Sequence, residues 1–357
     1  MAGGTGGHIY PGLAVADVLR AEGVHVTWLG AEGGMELDKV PPTGIEVDPV
    51  HIQGLRGKGV AGWLALPLRL GKAVSEARQA MKARRPDCAV SFGGYVAGPG
   101  GLAAWLGGTP LVVHEQNRIP GLTNRFLARL AKTILQAFDG SLPGARTVGN
   151  PVRDSVANLP DPARRWSDRS GPGRLLITGG SQGARALNTV LPEALAQLPI
   201  ARRPVIRHQA GSPDLEATRE RYADLGVEAH VTAFIEDMAE AYAWADLVVC
   251  RSGALTVSEL AAAGVGAVLV PFPHAVDDHQ TANAQVLVSA KAALLAPEAS
   301  LDAESLADQL DSLLNDRAST LALAEAARAC AVPDAARSVA QACRAFLPAS
   351  DDREVRS

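Results

Sequence analysis

Two short strings carry residues suited to phosphate chemistry: GGTGGH at 3–8 and GGSQGAR at 179–185. Glycine permits a tight turn and close approach of a ligand to the backbone. A helix that follows such a turn presents unbonded N–H groups to negative charge, and a diphosphate suits that environment. Neither string is a P-loop, since no GK[ST] follows, and neither gives a clear GxGxxG dinucleotide fingerprint. Either one alone also reads as an ordinary tight turn. Their recurrence, one in each half of the chain, points to binding groups on two walls of a cleft at the carboxyl edges of parallel sheets.

Other residues add chemistry to these turns. His8 follows the first string at the start of a helix. An imidazole, with its ordinary pKa near 6.5, acts there either as a general base or as a hydrogen-bonding residue with no part in proton transfer. In VVHEQNRIPGLTNR (112–125), His114, Glu115, Gln116 and Asn117 follow an apolar run in succession. Asn117 can contact an acceptor or a sugar, and Glu115 can orient a histidine or position an acceptor. The same residues also suit a polar turn with Asx-type bonding. In RSGALTVSELAAAG (251–264), Ala254, Leu255 and Thr256 offer backbone groups at a helix start. Glu259, one turn further, either interacts with the helix terminus or grips two ribose hydroxyls. FPHAVDDHQTANA (272–284) supplies Asp277 and Gln280 for sugar hydroxyls, while His274 and His279 lack zinc-site spacing. Cys88, Cys250, Cys330 and Cys343 form no CxxC pair and read as buried thiols of a reducing compartment.

Such residues need a scaffold. Short apolar runs predict strands at 24–30, 87–94, 109–115 and 131–138, then at 173–180, 203–211, 229–234, 246–253, 266–272 and 292–297. Alanine- and leucine-rich helical stretches alternate with them, which indicates βαβ units and an α/β class. A chain of 357 residues is long enough for two domains. The Pro-, Asp- and Arg-rich stretch 150–173 reads as the break, because a strand and a glycine turn begin afresh after it. The expected division is 1–150, 151–330 and a C-terminal helix with a charged tail over 331–357, the helix packing back on the N-terminal domain.

Net charge is −4 with pI near 6.1, which argues against a nucleic-acid partner. No secretory signal and no apolar run of about 18 residues is visible, so the reading is a soluble cytoplasmic protein with surface association left open. Residues 54–74, with Trp63, Leu64, Leu66, Leu68 and Leu70 among Arg56, Lys58, Arg69 and Lys72, suit either an anionic bilayer surface or a loop and helix packed on their own domain.

AGGTGGHIYPGLAVA (2–16) resembles the signature loop of the bacterial undecaprenyldiphospho-muramoylpentapeptide beta-N-acetylglucosaminyltransferases, of the glycosyltransferase family 28 type. SFGGYVAGPGGLAA (91–104), HEQNRIPGLTNR (114–125), GNPVR (149–153), ITGGSQGARALN (177–188), CRSGALTVSEL (250–260) and PFPHAVDDHQTANA (271–284) agree in the family's order. The resemblance implies a GT-B fold of two Rossmann-like domains facing a cleft. The N-terminal one would face the acceptor and the membrane, and the C-terminal one would hold UDP-N-acetylglucosamine. The acceptor would be lipid I, an undecaprenyl-diphosphate-linked muramoyl-pentapeptide. Transfer to its C4 hydroxyl would proceed with inversion, at the cytoplasmic face of the anionic inner membrane, with no cofactor and no required metal.

The same resemblance assigns donor contacts to Thr5, Gly6, Gly7, Asn117, Arg153, Ser181, Ile235, Ala254, Leu255, Thr256, Val257, Ser258, Glu259 and Gln280. Glu259 would meet the ribose, Ile235 the uracil and Gln280 the sugar hydroxyls. His8 is the proposed base or an acceptor-binding residue. Two departures stand out. The family's apolar strand before the first loop has no counterpart ahead of Met1-Ala2-Gly3, which predicts a poorly stable or weakly active chain, the alternative being a non-catalytic nucleotide-sugar-binding protein. Gly266 stands where relatives often have proline, which predicts a looser turn with unchanged chemistry.

Overall fold

The computed structural model describes residues 1–52, 66–180 and 183–348. The chain divides into two compact units, Met1–Arg153 with Asp334–Ser357, and Asp154–Pro333.

The first unit runs α1 (Gly6–Ala21), β1 (Thr27–Ala31), α2 (Glu36–Lys39), β2 (Glu46–Val50), α3 (Leu66–Arg84), β3 (Ala89–Ser91), α4 (Ala97–Gly107), β4 (Leu111–Glu115), α5 (Leu122–Leu127), β5 (Thr133–Gln136) and β6 (Arg146–Thr147). Strands β3-β4-β5-β6 form one parallel sheet, and β1-β2 form a separate parallel pair. Helices connect these parallel strands except β5 and the short β6, which are joined by the loop 137–145. Central β4 is buried at every position, so its apolar run does not alternate. Strands β2 and β6 were not anticipated. EVDPV in β2 carries two carboxylates and Pro49, which an edge strand tolerates because it pairs with β1 alone. β6 is two exposed residues.

Met1 pairs alongside β3. The Met1 amino group donates to Val90 O at 2.9 Å, and Phe92 N–H donates to Met1 O at 3.0 Å, which is a parallel-ladder pattern beside β3. Trp28 Nε1–H donates to Ala2 O at 3.0 Å. Beyond Met1, a cavity of about 420 Å³ lies between β1 and β3, lined by Leu19, Trp28, Leu29, Met81, Val90 and Cys343 among others. The core beside it joins Ile9, Val15 and Leu19 of α1 with Trp28, Phe92 and Leu135. Val339, Ala340 and Cys343 of the C-terminal helix Ala335–Arg344 complete it.

The second unit runs β7 (Arg174–Thr178), α6 (Arg185–Gln197), β8 (Val205–Gln209), α7 (Leu215–Asp224), β9 (His230–Thr232), α8 (Met238–Trp244), β10 (Leu247–Cys250), α9 (Ala254–Ala263), β11 (Gly266–Leu269), α10 (His279–Ser289), β12 (Ala293–Leu295), α11 (Ala303–Leu314) and α12 (Arg317–Ala329). Its sheet is parallel throughout, in the order β12-β11-β10-β7-β8-β9. This is the doubly wound order, with its switch point between β7 and β10. All ten anticipated strands are present, each shorter than its apolar run.

Three expectations change. Segment 154–173 packs on the second unit: Arg165 Nη2 donates to Ala263 O and Gly264 O at the end of α9, and Arg169 pairs with Asp246. Gly266 opens β11 opposite Leu247 and lies in no turn, since the turn is made by Gly264 at φ +62°. A Cβ at Gly266 would meet Leu323 Cβ at 2.7 Å, so close strand–helix packing explains the glycine. Of the cysteines, Cys250 and Cys343 are buried, while Cys88 and Cys330 are half-buried.

Candidate functional site

In the second unit the site follows from the switch point. The turn after β7 and the loop after β10 leave adjacent strands at their carboxyl ends, where α/β sheets bind ligands. Both lead into helices without a side-chain N-cap, at Ala184 before α6 and Gly253 before α9. Their first N–H groups therefore have no side-chain acceptor of their own at the cap. The turn after β7 depends on glycine. Gly183 adopts φ +77°, and a Cβ there would lie 2.1 Å from Ala210 O. At Gly179 a Cβ would lie 2.2 Å from Ala184 N. Ser181 lies outside the described residues.

Ala254, Leu255, Thr256, Val257, Ser258 and Glu259 form the first turns of α9. Ser258 Oγ–H donates back to Ala254 O at 2.9 Å. Glu259 is buried, and Tyr242 of α8 donates its hydroxyl to Glu259 Oε2 at 3.2 Å, so one carboxylate oxygen is already oriented by a neighbouring helix. Gln280 in α10 is drawn to the same end of the sheet. Its carbonyl accepts from Ser252 Oγ at 2.8 Å, and its Oε1 accepts Phe272 N–H at 2.9 Å. Arg251 ties the end of β10 to Val270 O and Pro271 O, and its guanidinium lies 5.4 Å from the Phe272 ring centroid. Asp277 and Asp278 both have positive φ, a tight entry to α10. His274 stacks edge-on to Phe272. Ile235 is half-buried in the loop between β9 and α8, the helix that carries Tyr242.

In the first unit Thr5 is the extended N-cap of α1, Gly6 and Gly7 begin the helix, and His8 falls in its first turn. Thr5 makes no side-chain cap. The preceding turn is clamped by Glu36, which is fully buried and accepts Ala31 N–H at 2.7 Å and Gly4 N–H at 3.2 Å. At Gly3 a Cβ would lie 2.3 Å from Glu36 Oε1, so a larger residue there would displace this buried carboxylate. Gly94, at φ +82°, lies so close that a Cβ would be 2.2 Å from Gly3 O. Burial and the Glu36 charge together raise the Tyr95 pKa beside this turn.

The HEQN string divides its labour. Glu115 Oε1 accepts from Asn117 N–H at 2.8 Å and Asn117 Nδ2 at 3.3 Å, and Glu115 Oε2 accepts from Gly121 N–H at 3.2 Å and Asn124 Nδ2 at 3.0 Å. Glu115 thus holds the loop. Gln116 is the residue that reaches histidine, with Oε1 3.1 Å from His8 Nδ1 and Nε2 3.2 Å from His114 Nδ1. His114 is fully buried, and desolvation pushes its pKa down to about 4. Arg153 stacks on Tyr10, its Cζ 5.6 Å from the ring centroid.

Sequence reasoning gave no role to Gln116, Glu36, Asn124 or Tyr242. Their signal was faint: Glu36 looks like a helix-surface charge, and Gln116 is one polar residue among four. Among the described residues, no group of three or more His, Cys, Asp or Glu is placed to hold a metal ion.

Residues 1–136 match the glycosyltransferase family 28 N-terminal domain, and residues 174–339 match the family 28 C-terminal domain. A UDP-N-acetylglucosamine–N-acetylmuramyl-(pentapeptide) pyrophosphoryl-undecaprenol N-acetylglucosamine transferase of Marinobacter nauticus is 54% identical over 347 residues, 96% of this chain and 95% of that protein. The enzyme of the same name from Xanthomonas campestris is 56% identical over 342 residues, 95% of this chain and 79% of that protein. The crystal structure of Acinetobacter baumannii MurG superposes with a TM-score of 0.83 at 42% identity, covering 97% of this chain and 98% of that one. With this neighbour the two Rossmann-like units are those of the GT-B fold. The uncapped helix starts, the glycine turns and both domain matches agree, and the chain belongs to glycosyltransferase family 28, in its MurG branch.

Proposed function

We propose that this chain catalyses inverting transfer of N-acetylglucosamine from UDP-N-acetylglucosamine to the C4 hydroxyl of undecaprenyl-diphospho-N-acetylmuramoyl-pentapeptide, giving lipid II and UDP. The observation that carries the reading is 54% identity, spread over 96% of the chain, to an enzyme whose name states that transfer.

The geometry supports a division of roles. In the second unit, the turn at Gly179–Gly183 and the start of α9 receive the UDP diphosphate, with Ser181 and residues Ala254 to Ser258 around it. Glu259 takes the ribose hydroxyls, Ile235 the uracil and Gln280 the sugar hydroxyls. In the first unit, Thr5, Gly6, Gly7, Asn117 and Arg153 add donor contacts. His8 withdraws the proton from the attacking C4 hydroxyl as charge develops on the leaving diphosphate. Backbone N–H groups and Arg153 stabilise that charge.

Peripheral attachment to the cytoplasmic side of the inner membrane is part of the proposal. Leu68, Trp105, Leu106, Leu122 and Phe126 are exposed on α3, α4 and α5, accompanied by exposed Arg69, Arg125 and Arg129. Most of 54–74, including Trp63, lies outside the described residues. No helix among the described residues is long and apolar enough to cross a membrane.

The test is a radiolabelled assay with UDP-N-acetylglucosamine and a lipid I analogue. Product supports the reading. Tight UDP binding without product would favour a non-catalytic nucleotide-sugar-binding protein. Near-normal turnover by His8→Ala would remove His8 as the base.

A further inference from the structure

The hydrogen bonds around His8 have only one self-consistent direction. Gln116 Nε2 lies 3.0 Å from His114 O, an acceptor that cannot donate, so this end of the amide is fixed as the donor. The same nitrogen faces His114 Nδ1, which must therefore accept, and His114 Nε2–H donates to Gly149 O at 2.9 Å. With Nε2 so directed, Gln116 Oε1 is the atom facing His8, and an amide oxygen only accepts. His8 Nδ1 must carry a proton and donate it.

We infer that Gln116 is a positioning residue for the base: backed by His114, it fixes His8 as the Nδ1–H tautomer and so leaves Nε2 as the lone-pair nitrogen. This rests on the reading of His8 as base, and it adds which nitrogen acts and what selects it. The second ring nitrogen of a catalytic imidazole is where tautomer and orientation are set. Two features hold the relay in place. Gln116 and His114 are buried, about 1% and 0% exposed, so water does not compete for their bonds. Gly93 packs close against the imidazole, since a Cβ there would lie 3.2 Å from His8 Cε1 and 3.3 Å from Nδ1. Enclosure of His114 keeps that ring neutral, as the Nδ1 acceptor role demands.

The experiment pairs ¹⁵N NMR of histidine-labelled full chain with steady-state kinetics, for the parent, Gln116→Leu and Gln116→Glu. In the parent, His8 shows the Nδ1–H pattern at neutral pH. Gln116→Leu removes the acceptor at unchanged bulk. Its His8 signal shifts toward the Nε2–H form, and kcat falls about 10- to 100-fold, a part of the roughly 100- to 10,000-fold that a positioned base supplies. KM for UDP-N-acetylglucosamine stays within about twofold, a split that a folding defect would not give. Gln116→Glu keeps an oxygen opposite Nδ1–H, but it adds charge and cannot donate to His114 O, so His8 moves toward the doubly protonated ring and the kcat–pH profile shifts to higher pH. An Nε2–H pattern in the parent overturns the inference, as does an unshifted tautomer in Gln116→Leu. A shifted tautomer with unchanged kcat leaves the relay standing and overturns the assignment of His8 as base, so the two failures are distinguishable.

Discussion

The amino group of Met1 allows a worked test of how the edge between β1 and β3 weighs on stability. It is enclosed, although the residue as a whole is only partly buried, and it donates to Val90 O. Enclosure pushes its pKa from 8.0 down to about 5, against the opposing pull of Cys343 and Glu36. The unfolded chain therefore binds a proton near pH 8, whereas the folded chain refuses it until about pH 5. Between those values the unfolded state holds more protons, so stability is lost as pH falls. From the shift in pKa, the loss is under about 1 kcal/mol at pH 8, about 1 kcal/mol at pH 7 and about 3 kcal/mol at pH 6.

Converting the amine to an amide removes that loss. A chain with a free Met1 amine is compared with its Nα-acetylated form. The readout is hydrogen exchange at the β3 amides, which reports on the first unit. Acetylation is expected to stabilise by under about 1 kcal/mol at pH 8, rising to about 3 kcal/mol at pH 6. An acetylation gain that does not change with pH would refute the assignment of the loss to the amine.

Other perturbations have defined outcomes. Gly183→Ala, at φ +77° and 2.1 Å from Ala210 O, should destabilise the second unit by about 2 kcal/mol or more in urea unfolding, against about 1 kcal/mol for Gly226→Ala, which has positive φ but open space. Gly94→Ala should likewise displace the first glycine turn, through Gly3 O, and lower kcat. Tyr242→Phe removes the hydroxyl on Glu259 Oε2 and should raise KM for UDP-N-acetylglucosamine severalfold, with kcat little changed in initial-rate assays. Buried His208, bonded to Tyr222 and Asn188, has its pKa pushed down to about 3 by desolvation. Its unfolded form protonates first as pH falls below 6.5, so about 2 kcal/mol is lost by pH 5, and His208→Asn should flatten urea-measured stability over that range.

Strands were legible where burial on both faces made the run continuous, as in LVV of β4 and LVVC of β10. β2 was not, because an edge strand is free to carry Glu46, Asp48 and Pro49. The order of strands in the second unit lies beyond any local pattern. Yet that order places the turn after β7 beside the loop after β10 and so makes one site of two motifs. The glycines of both turns were visible, but their reasons were not. Gly183 is required by the carbonyl of Ala210, and the first turn is crowded in the same way by Gly94, whose Cβ would meet Gly3 O, each contact made by residues distant in sequence.

The HEQN string shows the same limit at the level of mechanism. Four polar residues in a row permitted Glu115 to be the partner of a histidine. Alternation separates His114 from Glu115, the last residue of β4, and Gln116 just past the strand end reaches back to His114. His114 and Gln116 therefore fall together and reach His8, while Glu115 points away and fastens Asn117, Gly121 and Asn124. A carboxylate beside His8 would favour its charged form, whereas the neutral amide of Gln116 fixes a tautomer without adding charge. The end of β4 thus decides that His8 is met by an amide and not by a carboxylate, through residues whose types alone left the choice open.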